Sequence, residues 1–401
     1  MSDVKDLRIS VIGAGMGGLA CALAFAKKGF KKIDVYESAS NLGFVGAGIQ
    51  LAPNLARVLD RWGCWAKIHA DATTVTSSSI REGTTNRELA LVKMHDVVDL
   101  YGYSHCVGHR ASLAGSMFEA CQKESAITFH FSTALETLNN FGPDKVSFTV
   151  KPRDGEAYDV ETDILLGADG IKSIVRTTLL KSINSSAEVE DTGQAAYRIM
   201  LSRSQMEHDP EMLELLDSNC ALRWIGEKRH IVAYPISNKT IYNLSTCQPD
   251  TNFAVAPSMT YTTRGDKSVM MKVGATMAIE DAAVVAECVS AVPVTDGKID
   301  REALSRSLQV YELLRKDRTA ILVDMAEYSG RILHLGEGQA KEERDRQFAE
   351  GHKKGNGIPD KWASPEVQQM IYSHDCVASA QENFAEIFSS LTREKTNGVA
   401  K

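Results

Sequence analysis

Apolar positions recur along this chain with two different periods, and each change of period marks an element. Leu7 to Ile12 is a mostly apolar run of β-forming residues that stops at Gly13. The stretch LACALAFAKKGF follows, dense in small and apolar residues, and predicts a helix stopped by Gly29. Ile33 to Tyr36 is a second β-run, ending on Glu37. A helix is expected from about Pro53 to Trp62, and a strand beginning at Ile164 leads directly into a helical stretch ending at Arg176. Two short runs further on, HIVAY and TIYNL, are rich in β-branched and aromatic residues. Ser237, Asn238 and Lys239 lie between them and predict a hairpin turn. Gly274 to Glu287 reads as a helix, and the mixed-charge run from Gly336 to Gly357 as a solvated helix and loop.

The first of these units carries chemistry. Gly13-Ala-Gly15-Met-Gly17-Gly18 joins strand to helix, and Glu37 ends the next strand nineteen residues after Gly18. Strand, glycine turn, helix, strand and acid together form a dinucleotide-binding unit. Gly13 allows the tight turn, Gly15 lets the backbone approach a pyrophosphate, and Gly18 lets helix and strand pack closely. Glu37 would accept the ribose hydroxyls of an adenosine and repel a 2′-phosphate, so FAD or NAD is expected rather than NADP. An empty glycine-rich turn is the competing reading of the same residues.

Composition narrows the setting. A chain of 401 residues can bury a large core, in two domains or in one α/β domain with an insert. The net charge of −7 and the lack of a long basic block argue against nucleic-acid and anionic-membrane partners. No apolar run approaches the roughly 18 residues of a membrane span, and the N-terminus lacks an apolar signal core. The eight cysteines are scattered without a CxxC pair, and the ten histidines show no HxxxH or HExxH spacing. A cytoplasmic protein without a metal site is expected.

Further motifs build a resemblance. GAGMGGL, Glu37, GAGIQLAPN, HRASL (His109 to Leu113) and GADGIKSIVR follow in order. That order resembles the flavin-dependent aromatic hydroxylases that use NAD(P)H and oxygen, and most closely their fungal salicylate-hydroxylase-like branch. TGQAAYRIML, RHIVAYPISNKTIYNLSTC, AIEDAAVVAE, YELLRKDR and IYSHD continue it to about residue 390. The resemblance implies an α/β fold: a Rossmann-like FAD-binding domain, an inserted β-rich substrate domain and a helical C-terminal region. The expected division is 1–180 for the first part of the FAD-binding domain, 181–264 for the substrate domain, 265–330 for the return to the FAD-binding domain, and 331–401 for the C-terminal helices. It further implies FAD as cofactor, NADH or NADPH and molecular oxygen as co-substrates, and a small phenolic or aromatic acid, salicylate-like, as substrate.

Residue roles follow from the same likeness. Gly48 belongs to the second glycine cluster, and Arg110 resembles the family arginine that contacts the flavin. Asp169 would bond a ribityl or ribose hydroxyl, or else cap the following helix. Arg198 and Tyr234 match positions that contact or polarise the substrate phenolate; their plainer readings are a surface ion pair and an amphipathic sheet residue. Glu280 and Asp281 suggest acid–base work at first sight, but acids early in a helix favour the dipole and need no catalytic role. An NAD-dependent dehydrogenase would leave the Asp169 and Tyr311 motifs without a purpose.

One family motif is missing. A Gly-Asp followed by His-Pro and a glycine-rich turn normally precedes the helix beginning at Gly274, whose first N–H groups, from Ala275 on, would face the cofactor. Here Gly265-Asp266 is followed by Lys267-Ser268, and no His-Pro occurs in the sequence. Several tens of residues, with at least one strand and the flavin loop, are expected to be absent between PSMTYTTRGDKSVM and VGATMAIEDAA. Impaired hydroxylation follows from that expectation, and so does a competing reading as an inactive nucleotide-binding relic.

Overall fold

The computed structural model describes residues 3–43, 46–142, 145–186, 193–250, 274–295, 298–354 and 359–398. The Gly265 to Lys272 stretch lies outside the described residues.

The predicted unit forms as strand β1 (Arg8–Ile12), helix α1 (Met16–Lys27) and strand β2 (Lys32–Tyr36). With β3 (Ile127–His130) and β4 (Ile164–Gly167) they make a parallel sheet in the order β4-β1-β2-β3. Ile9 and Val11 of the central strand are fully buried, which is why that segment is almost continuously apolar. Strand β4 pairs only with β1 among the described residues, and so forms one edge of this sheet.

A second sheet holds β5 (Gln194–Ser202), β6 (Cys220–Gly226), β7 (Arg229–Ile236) and β8 (Ile241–Pro249). Its order is β5-β8-β7-β6, continued by the segments Ser77–Glu82 and Glu88–Lys93. The last two come from the part of the chain assigned above to the first domain. The β7–β8 hairpin turns at Ser237, Asn238 and Lys239, all three left-handed, with Ile236 opposite Ile241.

Helix α2 (Gly274–Ser290) packs on α1 where both are lined with small residues; a Cβ on Gly17 would sit 3.6 Å from that of Ala278. The long helix α3 (Arg301–Leu333) crosses behind it. Here the sequence reading of the Glu280–Asp281 pair is corrected. Glu280 is buried and takes hydrogen bonds from Arg318 Nε (2.9 Å), Arg318 Nη2 (3.0 Å) and Asn54 Nδ2 (2.8 Å), with Arg315 at 2.8 Å. Asp281 accepts from Arg315 Nε at 2.6 Å. Burial works against the charge of Glu280, yet the two guanidinium groups and Asn54 hold its carboxyl at about 2. These acids are structural ion-pair partners that tie α2 to α3.

The mixed-charge run is corrected as well. It forms a helix, Gln339–Lys354, that buries Phe348 and sends Lys341 to Glu82 of the second sheet at 2.7 Å. Phe348 and the buried Arg344, which donates to the carbonyls of Ile332 and Leu333, form its inner face. No described helix is long and apolar enough to cross a membrane.

Candidate active site

The glycine turn closes on itself. A Cβ on Gly18 would overlap the Gly13 carbonyl oxygen, and one on Gly13, which has a φ of +94°, would lie 2.5 Å from the carbonyl oxygen of Ala168. Side chains at these two positions are therefore excluded by backbone. At Gly15 the situation is reversed: nothing lies within 4 Å of where a Cβ would be. The open space beside Gly15, at the N-terminus of α1, is a cradle of the kind a pyrophosphate occupies. Glu37 borders it, its Oε2 accepting from Ala14 N at 2.8 Å and its Oε1 from Ala39 N at 2.8 Å. The carboxylate thus stiffens the turn and keeps lone pairs for a ribose. These residues fit the adenosine and pyrophosphate portions of FAD.

Asp169 stands beside this turn, but both of its oxygens are engaged. Oδ1 accepts from Ser173 Oγ at 2.6 Å, and Oδ2 from Ile174 N at 2.7 Å and Val175 N at 3.2 Å. Of the two readings above, helix capping is the one the geometry favours.

The second glycine cluster joins the cradle to the second sheet. Gly48 N donates to Asn243 Oδ1 at 2.7 Å, and a Cβ on Gly48 would meet Tyr234 Cε2 at 2.5 Å and Asn243 Cγ at 2.6 Å. Glycine is required because the strand lies directly on those side chains. Arg110 opens the helix Arg110–Gln122 and donates its backbone N–H to Ala47 at 3.0 Å.

Between the two walls lies a cleft of about 180 Å³. Met16, Gly48, Arg110 and Ala275 contribute from the nucleotide side, and Arg198, Val232 and Tyr234 from the sheet. Register explains the sheet face. Arg198 lies opposite Ser245, Ser245 opposite Val232, and Val232 opposite Arg223, so one row across four strands carries an arginine at each end. Tyr234 is buried, which pushes its hydroxyl p*K*a up while the nearby Arg198 charge opposes the rise. The phenol is therefore held protonated, as a donor, with a cation beside it. Gly13, Gly15, Gly18 and Glu37 thus gather at the cradle, and Gly48, Arg110, Ala275, Arg198 and Tyr234 at the cleft. Gly274 starts the helix that carries Ala275.

Sequence reasoning missed the other end of the cleft. His230 Nδ1 and His334 Nε2 are 2.7 Å apart, and Arg223, Ser329 and Trp362 stand around them. His230 is four residues before Tyr234 on β7, so period-2 alternation alone places both on one face. That signal was present in HIVAY. The partners on α3 had no local signal.

A family model described as "FAD binding domain" matches residues 6–221. Among curated proteins, 3-hydroxybenzoate 6-hydroxylase 1 of Aquipseudomonas alcaligenes is 33% identical over 237 residues, covering 59% of this chain and 56% of that protein. The chain thus spans about half the length of that relative. FAD-dependent monooxygenase OpS4 of Beauveria bassiana is 24% identical over 439 alignment positions, covering 96% of this chain and 99% of that protein. Among solved structures, a salicylate hydroxylase substrate complex superposes with a TM-score of 0.69 at 17% identity, covering 94% of this chain and 98% of that one. At that identity the likeness is one of fold.

Proposed function

Given that the chain belongs to the FAD-binding-domain family, we propose that it is a FAD-dependent monooxygenase, using NADH or NADPH and oxygen to hydroxylate a phenolic or aromatic acid. The observation that carries this reading is the cleft lined on one wall by Met16 and Ala275, in the first turns of α1 and α2 and next to the glycine turn, and on the other by Arg198 and Tyr234. When bound, FAD supplies the redox chemistry and the activation of oxygen. The protein supplies position and charge. Gly15 would admit the pyrophosphate in the turn that Gly13 and Gly18 close, helped by the first N–H groups of α2 at Gly274 and Ala275, and Glu37 would hold the ribose. Gly48 and Arg110, which line the cleft, would border the isoalloxazine, while Asp169 caps its helix beside the Gly13 turn.

On the facing wall, Tyr234 donates its O–H to the substrate's phenolic oxygen and Arg198 supplies the positive charge that favours its ionised form. An ionised ring is richer in electrons and more readily attacked by an electrophilic oxygen. Enclosure between two walls keeps bulk water from the reacting atoms. The domain division proposed is the expected one, with Ser77–Glu82 and Glu88–Lys93 added to the substrate sheet.

A second reading concerns efficiency. The alignment with the Beauveria relative runs to 439 positions against 401 residues here. The difference in length supports residues missing relative to that protein, and the absent His-Pro motif assigns them to the stretch before Gly274, with a loosely held flavin as the consequence. The purified protein is expected to show flavin absorbance and aromatic-acid-stimulated NADH oxidation, with less hydroxylated product than NADH consumed. Absence of flavin absorbance after incubation with excess FAD would overturn the proposal. Stoichiometric hydroxylation would remove the second reading alone.

A further inference from the structure

The end of the cleft farthest from Gly48 is built to a different chemical plan from the end at Tyr234. Tyr234 and His230 are four residues apart on one face of β7, hence separated by about 13 Å. Arg223 lies across the strand from Val232, midway between them. Its side chain is buried, and Nη1 donates to Asp360 Oδ2 at 3.0 Å. His230 and His334 share one N–H across 2.7 Å. Whichever ring donates, the pair retains one outward N–H and one bare nitrogen. Ser329, on the last turns of α3, is buried in the wall of the cleft, and its hydroxyl has no hydrogen-bond partner among the described residues.

The inventory at this end is rich in donors. Arg223 has N–H groups beyond the one given to Asp360, the histidine pair has another, and Ser329 has an O–H. Asp360 is the single carboxylate paired with Arg223, and it is already engaged. A cationic substituent would face a guanidinium here. A carboxylate would find several donors at once, and the bare imidazole nitrogen could take up a proton to balance its charge. Burial and the neighbouring Arg223 now keep both rings neutral, His230 down to about 3.

We propose that Arg223, His230, Ser329 and His334 form a second polar subsite, which takes a carboxylate carried on an extended aromatic substrate whose hydroxylated ring lies at Tyr234. The inference rests on the reading of Arg198 and Tyr234 as the ring site. It differs from that reading in requiring a substrate longer than a single-ring acid.

The test uses the FAD-loaded full chain and three probes: 4′-hydroxybiphenyl-4-carboxylate, 4-hydroxybiphenyl and salicylate. Affinity is read from perturbation of the flavin absorbance. The carboxylated biphenyl is expected to bind at least about tenfold more tightly than the uncharged one, on the scale of a charge-assisted hydrogen bond. Ser329→Asp, which places a negative charge in the subsite, should erase that preference by weakening the carboxylated biphenyl more than the uncharged one. His334→Leu should also reduce it, with partial retention in His334→Gln, so the result does not depend on one variant folding. Equal affinities of the two biphenyls while salicylate still binds would overturn the subsite and leave the ring site standing. If none of the three perturbs the flavin, the ring-site reading fails and the subsite fails with it.

Discussion

The nucleotide cradle and the sheet-walled cleft share a border but are assembled in opposite ways. The cradle comes from one continuous stretch, Gly13 to Glu37, whose contacts are mostly backbone: glycine against carbonyl, carboxylate against N–H. The cleft draws on strands β5 to β8, the strand at Gly48 and the end of α3, and is lined mainly by side chains from these separate elements. The cradle therefore tolerates almost no change of residue type at a few positions. In the cleft Gly48 is equally fixed, because a Cβ there would meet Tyr234 and Asn243, while the lining side chains are brought together by register between strands.

Four substitutions or conditions probe that contrast. The largest effect is expected at the joint between the regions. Glu280→Ala removes the acid shared by Arg315 and Arg318, leaving Arg318 without a carboxylate and Arg315 with Asp281 alone. A loss of about 3–5 kcal/mol is expected in urea unfolding. A loss below about 1 kcal/mol would mean that the ion pairs are not what ties α2 to α3.

Next comes Gly18→Val, which drives a branched side chain into the Gly13 carbonyl. It should cost at least about 3 kcal/mol and abolish flavin binding, as measured by thermal melting and absorbance. A variant that retains full flavin would show that the turn can open.

Glu37→Ala acts on the same cradle more gently. FAD or ADP affinity should fall by about 1–3 kcal/mol, with the fold intact, since one acceptor is lost. Calorimetric titration checks this, and unchanged ADP affinity would defeat the assignment of Glu37.

Acid sensitivity should come from three histidines, of which His230 lines the cleft and His105 and His374 lie outside its lining. Burial lowers the p*K*a of His105 to about 4, His230 to about 3 and His374 to about 4. The unfolded chain protonates these residues near 6.5, while the folded one stays neutral until much lower pH. Stability is therefore lost as pH falls from about 6.5 toward 4, by about 1.4 kcal/mol per pH unit for each such histidine. His105→Gln should make that limb shallower in urea titrations between pH 7.5 and 5. A flat stability profile over that range would contradict the burial of these rings.

Legibility in the sequence followed the same divide. Gly13, Gly15, Gly18 and Glu37 were readable because the whole unit is local, and Ser237 to Lys239 because a short turn between two β-runs has few alternatives. Glu280 was misread because its partners, Arg315 and Arg318, lie on another helix, and no local pattern distinguishes a dipole-favouring acid from a buried one. Asp169 was left between two roles, since a carboxylate at a strand end beside a helix suits either. His230 lay within a quoted motif, yet its meaning depends on His334 more than one hundred residues away. The helix Gln339–Lys354 looked solvated because charge dominates its composition, while its inner face is set by Phe348 and a buried arginine, Arg344, that composition counts as surface.

The central claim is that cradle and cleft form one site, with FAD on one wall and an aromatic acid on the other. The direct measurement is a titration of the FAD-loaded protein with salicylate, followed in the flavin absorbance bands, in the original chain and in Arg198→Ala. The account predicts a saturable perturbation in the original chain, weakened at least about tenfold in the variant, with equal flavin occupancy in both. A bound flavin whose spectrum does not respond, or a response unchanged in Arg198→Ala, would contradict it.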